Sequence, residues 1–293
     1  MAASFGRPIA LRSTEPRTLA PPARRTAHVT AVERLGAYHL IQALDSAGPA
    51  NPQPGQFYML STAERWGGGE DERPYLPRAF SYARAREGEL SFLTETVGPG
   101  TRRLAELRPG DGLELLGPLG VGWRAPLDGT RPLLVGGGIG TAPLLCWQDE
   151  LGPDTAVLLG FRSAAHAQAA TLFAGEPAVA TDDGSAGRQA LVTDLLREQL
   201  DSSVTVFACG PPAMLEAVRA ICAEAGVPAQ LALESGMACG FGACFGCVVA
   251  TKEGYVRLCV DGPVLDASRL AMPSGGSRLR SPTEDWLAGG GVG

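Results

Sequence analysis

Apolar and polar positions along this chain follow two different rhythms. Over residues 27–126, short apolar stretches alternate with polar positions and break at Gly, Pro and Asp. The pattern predicts strands in HVTAVERLGAYHLIQAL and GQFYMLST. AFSYARAREGELSFLTETV reads as a strand, a turn at Glu87-Gly88 and a second strand. GPGTRRLAELRPGDGLELLGPLG reads as a short helix at TRRLAEL, a Pro-Gly-Asp turn and one more strand. Many short strands joined by Gly/Pro turns predict an antiparallel barrel or sandwich.

The rhythm changes at Arg131. PLLVGGGIG, TAVLLGF, AVATDD and SVTVFACG are apolar runs of strand length. Each is followed by a helical pattern: TAPLLCWQDEL, SAAHAQAATLF, LVTDLLREQL and PPAMLEAVRAICAEAG. Four alternations predict a doubly wound parallel α/β sheet with helices on both faces. The expected organisation is a leader over 1–26, a β domain over 27–128, an α/β domain over 129–228, a cysteine segment over 229–270 and a tail over 271–293. Leader and tail are expected to be disordered.

Length and charge narrow the function. The chain has 293 residues, 45% of them hydrophobic, enough for two compact domains and a small third. A formal net charge of −6 without a basic block argues against binding nucleic acid or an anionic membrane. No stretch approaches the ~20 apolar residues of a membrane span. Arg7, Arg12, Arg17, Arg24 and Arg25 precede no continuous apolar run, so no signal peptide is expected. The expected location is the cytoplasm, a reducing compartment where crowded cysteines point to a metal centre rather than disulfides.

Four of the seven cysteines are crowded together, spaced Cys239-x4-Cys244-x2-Cys247-x11-Cys259. A structural zinc site usually shows two short Cys-x2-4-Cys knuckles. Here three thiols share one loop and the fourth follows VVATKEGYVRL, which reads as a hairpin turning at Glu253-Gly254. That is the plant-type arrangement for a [2Fe–2S] cluster. Gly240, Gly242 and Gly246 let the loop fold tightly and aim N–H groups at sulfur. Zinc bound by four thiolates and reduced core cysteines remain the alternatives. Cys146 and Cys222 lie on apolar helix faces and read as core.

Two glycine turns fall at strand ends in the α/β region. LLVGGGIGTAPLL places Gly136, Gly137, Gly138 and Gly140 where backbone N–H groups can hold phosphate. Thr141 and Pro143 depart from the strict dinucleotide fingerprint, so a ligand-free βα turn is the competing reading. ACGPPAML places Cys209, Gly210 and Pro211 at the last strand end. TDDGS carries Asp182 and Asp183, which suit ribose hydroxyls or a turn cap. In RAFSY, Arg78 suits a pyrophosphate, Ser81 a flavin ring edge, and Phe80 or Tyr82 a stacking contact. An exposed Arg on an ordinary strand is the alternative. Gly100 and Thr101 of GPGT open a helix.

In this order, RAFSY, GPGT, GGGIGTAPL, TDDGS, CGPPAML and MACGFGAC-x2-C with LCVDGPV resemble the ferredoxin-reductase-like flavoproteins. Within them the pattern is similar to the electron-transfer subunits of NAD-dependent dihydroorotate dehydrogenases. The resemblance covers residues 27 to 270. It implies FAD on the barrel, held by Arg78, Phe80, Ser81, Tyr82, Gly100 and Thr101. It implies NAD over Gly136, Gly137, Gly138 and Gly140, near Asp183 and Cys209, Gly210 and Pro211. It implies a [2Fe–2S] cluster on Cys239, Cys244, Cys247 and Cys259. It also implies an FMN-containing catalytic partner, in a heterotetramer, that oxidises dihydroorotate in pyrimidine synthesis. Electrons would run from partner to cluster to FAD to NAD+, with no general acid or base in this chain.

Four features depart from the family pattern: Ala79 after the Arg, AGRQA between TDDGS and LVTDLL, the long N- and C-terminal extensions, and Arg162, which leaves NADP open. Competing readings are the small subunit of an NAD(P)H–ferredoxin or sulfide oxidoreductase, a cluster-bearing redox sensor without flavin turnover, and a zinc-stapled structural protein.

Overall fold

The computed structural model describes residues 23–49, 51–67 and 74–271. Most of the expected leader and the tail from 272 lie outside them. Strands β1 (Ala23–Leu35), β2 (Tyr38–Leu44), β3 (Phe57–Thr62), β4 (Arg78–Arg86), β5 (Glu89–Glu95) and β6 (Gly112–Leu119) form the first unit, with helix α1 (Pro99–Ala105) between β5 and β6. The strands close into a barrel in the order β1-β2-β5-β4-β3-β6, and all neighbours are antiparallel. Alternation fills the interior: Ala27 and Val29, Tyr58 and Leu60, Leu90 and Phe92, Leu113 and Leu115 are buried there.

Two boundaries differ from expectation. HVTAVERLGAYHLIQAL is a hairpin, not one strand, because Gly36 turns the chain at φ +60°. β1 also begins at Ala23, inside the expected leader. There, Ala23 to Thr26 pair with Gly117 to Glu114. Arg25 anchors this start: its Nη2 lies 2.6 Å from the Asp45 carboxylate, and its Nη1 donates to the Gly117 carbonyl at 2.8 Å. Asp45 is buried. Asp45→Ala leaves the guanidinium without its counter-charge, so unfolding stability is expected to fall by about 3 kcal/mol. The urea midpoint measures this, and an unchanged midpoint refutes it.

The second unit is built on a seven-stranded sheet. Its parallel strands are β7 (Arg131–Gly137), β8 (Ala156–Phe161), β9 (Ala178–Thr181), β10 (Arg188–Gln189), β11 (Val204–Cys209) and β12 (Ala229–Ala232). A small hairpin, β13 (Val248–Thr251) and β14 (Gly254–Arg257), follows, and β15 (Val264–Asp266) then joins the sheet antiparallel to β12. The helices are α2 (Ala142–Leu151), α3 (Ala164–Ala167), α4 (Val192–Gln199), α5 (Pro212–Ala225) and α6 (Leu258–Asp261). Leu133, Val135 and Val206 pack with Leu195 and Leu196 of α4 and Leu215 and Val218 of α5. Leu134 and Phe207 pack with Leu144, Leu145 and Trp147 of α2 on the other face. Alternation within fully buried strands therefore sends successive residues to opposite helix layers.

Sheet order is β10-β9-β8-β7-β11-β12-β15. The chain runs outward from β7 to one edge, then returns to lay β11 on the other side of β7. The carboxyl ends of β7 and β11 thus form the switch point where such sheets bind ligands. The sheet continues past the expected boundary at 228, since β12 and β15 both belong to it and bracket the cysteine segment. SAAHAQAATLF is not one helix. It is the short α3 followed by a 3₁₀ stretch over Gln168–Leu172. Gln148 of α2 explains the end: its side chain bonds both the carbonyl and the N–H of Ala174, at 3.1 and 2.9 Å, and draws the chain out of helical geometry.

Candidate redox site

Two neighbouring cavities open at the switch point. The smaller, about 210 Å³, is lined by Phe57, Phe80 and Ser81 from the barrel, by Pro143 of α2 and Cys209 of β11, and by Ser235 and Met237 from the segment after β12. The larger, about 720 Å³, runs along the strand ends past Gly137, Gly138, Gly160, Arg162, Asp182, Gly210 and Met214, and reaches Tyr38 and Glu95 of the barrel. Ile139, Gly140 and Glu234 line both, so the cavities meet there.

The glycine turns have a steric cause. A Cβ on Gly140 would lie 2.6 Å from Cys209 C and from Gly210 N and Cα, all backbone atoms. One on Gly137 would overlap the Met214 sulfur. The turns after β7 and β11 therefore touch, and only glycine permits it. Gly136 has a different role from the one expected. It lines neither cavity; a Cβ there would lie 2.9 Å from Leu159, so it lets the turn pack close to the sheet.

On the barrel, RAFSY and GPGT come together as the sequence implied. A Cβ on Gly100 would lie 2.9 Å from Arg78 Nε, and the Arg78 guanidinium sits 5.9 Å from the Trp66 ring centroid. Thr101 Oγ1 accepts from the N–H groups of Val97 and Gly98 at 2.9 and 3.1 Å and so caps α1. Phe80 and Ser81 reach the smaller cavity. Tyr82 does not. It is buried in the barrel, edge-on to Tyr58 with centroids 6.3 Å apart, and donates to the Pro52 carbonyl at 2.8 Å. Phe80 and Tyr82 both pack against the barrel core, but Tyr82 is fully enclosed there, whereas Phe80 is half-buried and reaches the cavity.

Asp183 also departs from its expected place. Its carboxylate accepts from the Ser185 hydroxyl and N–H at 2.6 and 2.9 Å, which holds it below the usual carboxylate range and closes a turn. Asp182 is the residue that faces the larger cavity. Cys209 keeps its proton: burial, then the nearby Glu234 carboxylate, push the thiol well up.

Among the described residues, two side chains on the cavity walls and one in the glycine turn carry a polar atom without a partner. Ser235 Oγ on the smaller, Tyr38 Oη on the larger, and Thr141 Oγ1 in the glycine turn are buried with no hydrogen-bond partner. Buried hydroxyls of this kind require one. They fit a ring with hydrogen-bonding edges in the smaller cavity and a nucleotide in the larger.

The cysteine loop packs on the barrel, because a Cβ on Gly240 would lie 2.6 Å from Met59. Gly240 and Gly242 hold φ of +80° and +87°, as tight folding requires. Gly246 does not; the third positive φ, +58°, falls on Phe245. Arg257 supports that residue with its guanidinium 5.4 Å from the Phe245 ring centroid and Nη1 donating to the Gly242 carbonyl at 3.1 Å.

The four thiols meet in two pairs. Cys247 and Cys259 place their sulfurs 3.2 Å apart, and the free Cys244 thiol donates a hydrogen bond to Cys239. Among the described residues, no three Cys, His, Asp or Glu side chains converge on one ion. Two thiolate pairs suit a dinuclear cluster, two ligands to each iron, better than a single tetrahedral zinc.

Burial works against a Cys239 thiolate. The N–H groups of Cys244, Phe241 and Ala243, with the Cys244 thiol, outweigh it and bring the pKa down to about 6. Cys222, buried on α5, is pushed up to about 12 by desolvation. In cluster-free protein at pH 7, iodoacetamide is therefore expected to alkylate Cys239 and spare Cys222. The Cys239 rate should fall as pH drops through about 6. Peptide mass spectrometry reads both sites, and a rate flat across that range contradicts the assignment.

A closed antiparallel barrel, a parallel sheet with paired glycine turns and a four-cysteine loop define a ferredoxin-reductase-like electron-transfer protein. The same fold occurs in the NADH-dependent reduced ferredoxin-NADP oxidoreductase used to study flavin-based electron bifurcation. The TM-score is 0.69 at 24% identity, over 84% of this chain and 89% of that one. It also occurs in a ferredoxin NADP+ reductase from Neisseria gonorrhoeae, with a TM-score of 0.56 at 16% identity, over 69% of this chain and 92% of that one. Residues 234–271 match the iron-sulfur cluster binding domain of dihydroorotate dehydrogenase B. The dihydroorotate dehydrogenase B (NAD(+)) electron transfer subunit of Caldanaerobacter subterraneus subsp. tengcongensis is 37% identical over 224 residues, covering 75% of this chain and 87% of that protein. Its counterpart from Geobacillus thermodenitrificans is 38% identical over 234 residues, with the same coverage. The chain belongs to the family of dihydroorotate dehydrogenase B (NAD(+)) electron transfer subunits.

Several residues at the cavities were not singled out from the sequence. Glu234 and Ser235 follow a strand that the pattern had assigned to the cysteine segment; the carboxyl end of a parallel strand was the available signal. Tyr38, Glu95 and Met214 carry no local signal, because only folding brings them to the strand ends.

Proposed function

We propose that this chain passes electrons between a catalytic partner subunit and NAD+ through a [2Fe–2S] cluster and FAD, in the cytoplasm and in pyrimidine synthesis. One observation carries the reading. The two cavities meet at Ile139, Gly140 and Glu234, and the cysteine loop begins two residues after Met237 on the wall of the smaller one. Flavin exchanges electrons in pairs or singly, while an iron–sulfur cluster takes them one at a time.

The chain's residues position these groups. Phe80 and Ser81 face the flavin ring, with Ser235 Oγ as a further hydrogen-bond partner. Arg78 beside Gly100 supplies positive charge for the FAD pyrophosphate. The N–H groups of the turn at Gly137, Gly138 and Gly140 would hold the NAD phosphates, and the contact between the two turns would position the nucleotide for hydride exchange with the flavin. Cys239 and Cys244 hold one iron; Cys247 and Cys259 hold the other. Phe241, Phe245 and Val260 are exposed beside exposed Cys244, an apolar rim suited to a partner that delivers electrons at that edge. The partner is an FMN-containing dihydroorotate dehydrogenase subunit, and the assembly is a heterotetramer.

Anaerobic titration of the purified protein with NADH tests the reading. Bleaching of a flavin band together with loss of visible iron–sulfur absorption is expected. A colourless preparation that binds zinc overturns it. A coloured protein without flavin favours a cluster-bearing redox sensor.

A further inference from the structure

The larger cavity contains an apparent contradiction. In dinucleotide-binding sheets, an acid about 20 residues past the glycine turn takes the ribose 2′-hydroxyl of NAD, whereas an Arg there accommodates the 2′-phosphate of NADP. Here, Arg162 follows β8 at that distance from Gly138 and Gly140, and it lines the cavity. Taken alone it selects NADP, yet the chain belongs to a family named for NAD(+).

The barrel resolves this. Glu95, the last residue of β5, places Oε1 2.9 Å from Arg162 Nη2 and 3.4 Å from His166 Nε2. His166 is oriented in turn by the Ser163 hydroxyl, 3.0 Å from Nδ1. The carboxylates on the lining are Glu95, Asp182 and Glu234; its basic side chains are Arg162 and His166. A 2′-phosphate would meet a guanidinium already paired with the Glu95 carboxylate. A 2′-hydroxyl would meet acceptors.

We propose that Glu95, reaching from the flavin-side barrel to the nucleotide-side sheet, neutralises Arg162 and so makes this chain select NAD over NADP. The proposal rests on the reading of the larger cavity as the dinucleotide site. Glu95 is a specificity-determining residue supplied by a different domain from the one that binds the nucleotide, and its ion pair also ties the two domains across the cavity mouth.

The test uses the purified flavin- and cluster-loaded complex. NADH and NADPH are compared for the rate of anaerobic flavin reduction in single turnover. Glu95→Gln keeps size and hydrogen-bonding capacity but frees Arg162. It is expected to raise the NADPH-to-NADH rate ratio on the order of tenfold, the scale of one released charge contact. The double variant Glu95→Gln/Arg162→Ala should return the ratio to that of the unaltered protein. A ratio unmoved by Glu95→Gln, or raised equally in the double variant, overturns the proposal while leaving the nucleotide site in place. Failure of NADH to reduce the flavin in the unaltered complex overturns the nucleotide site itself, and the proposal with it.

Discussion

Cys244→Ser abolishes electron exchange with the partner subunit and leaves NADH able to reduce the flavin. Cys244 is the exposed member of its pair, hydrogen-bonded to Cys239 and accepting from the Gly246 N–H at 3.5 Å. A serine oxygen fits the same space but is a harder, far less acidic ligand for iron. The loop itself should hold, because Gly240 against Met59 and Arg257 on Gly242 fix it without this sulfur. Losing an outer hydrogen-bond partner of a metal ligand typically costs 10–100-fold, so losing the ligand should cost more than about 100-fold in partner-linked rate. Visible absorption reports the loss of the cluster, and dihydroorotate-linked turnover reports the loss of the path. Partner-linked activity that survives would place the cluster off the path.

The opposite lesion is expected at the other end of the route. Gly140→Ala puts a methyl group 2.6 Å from the backbone at Cys209 and Gly210, and no side chain is there to move aside. The two turns must separate, and overpacking of this kind costs about 1–3 kcal/mol. The larger cost falls on geometry, since Gly140 lines both cavities at their junction. A displacement of about 1 Å there is enough to slow hydride transfer on the order of 100-fold. Stopped-flow reduction of the flavin by NADH should show that loss while the cysteine loop keeps its spectrum. A normal rate would mean that the two turns do not set the reacting geometry.

Much of this arrangement was legible in the sequence, and the exceptions share a cause. Period-two alternation revealed the barrel strands because each has one face in the core and one outside. It did not separate Tyr82 from Phe80, because both pack against the barrel core and only the fold shows that Tyr82 is fully enclosed there while Phe80 is half-buried and reaches the cavity. The glycine turns and the crowded cysteines were readable because steric closeness and thiol chemistry restrict residue type at fixed spacing. Asp182 and Asp183 were not separable, since either can cap a turn, and only the fold shows that Asp183 does so. Glu95 was invisible for a different reason. Its partner Arg162 lies 67 positions away on another domain, and no local pattern encodes that meeting.

Electrons from a dihydroorotate-oxidising partner are proposed to leave through this chain to NAD+. Dihydroorotate-dependent NAD+ reduction by the complex isolated from its own cells through this chain tests this route. NADH formation is expected, stopping when the co-purified catalytic subunit is removed and resuming when it is restored. A complex that carries flavin and iron–sulfur cluster, oxidises NADH with an artificial acceptor, yet ignores dihydroorotate would contradict the claim and assign the electrons to a different donor.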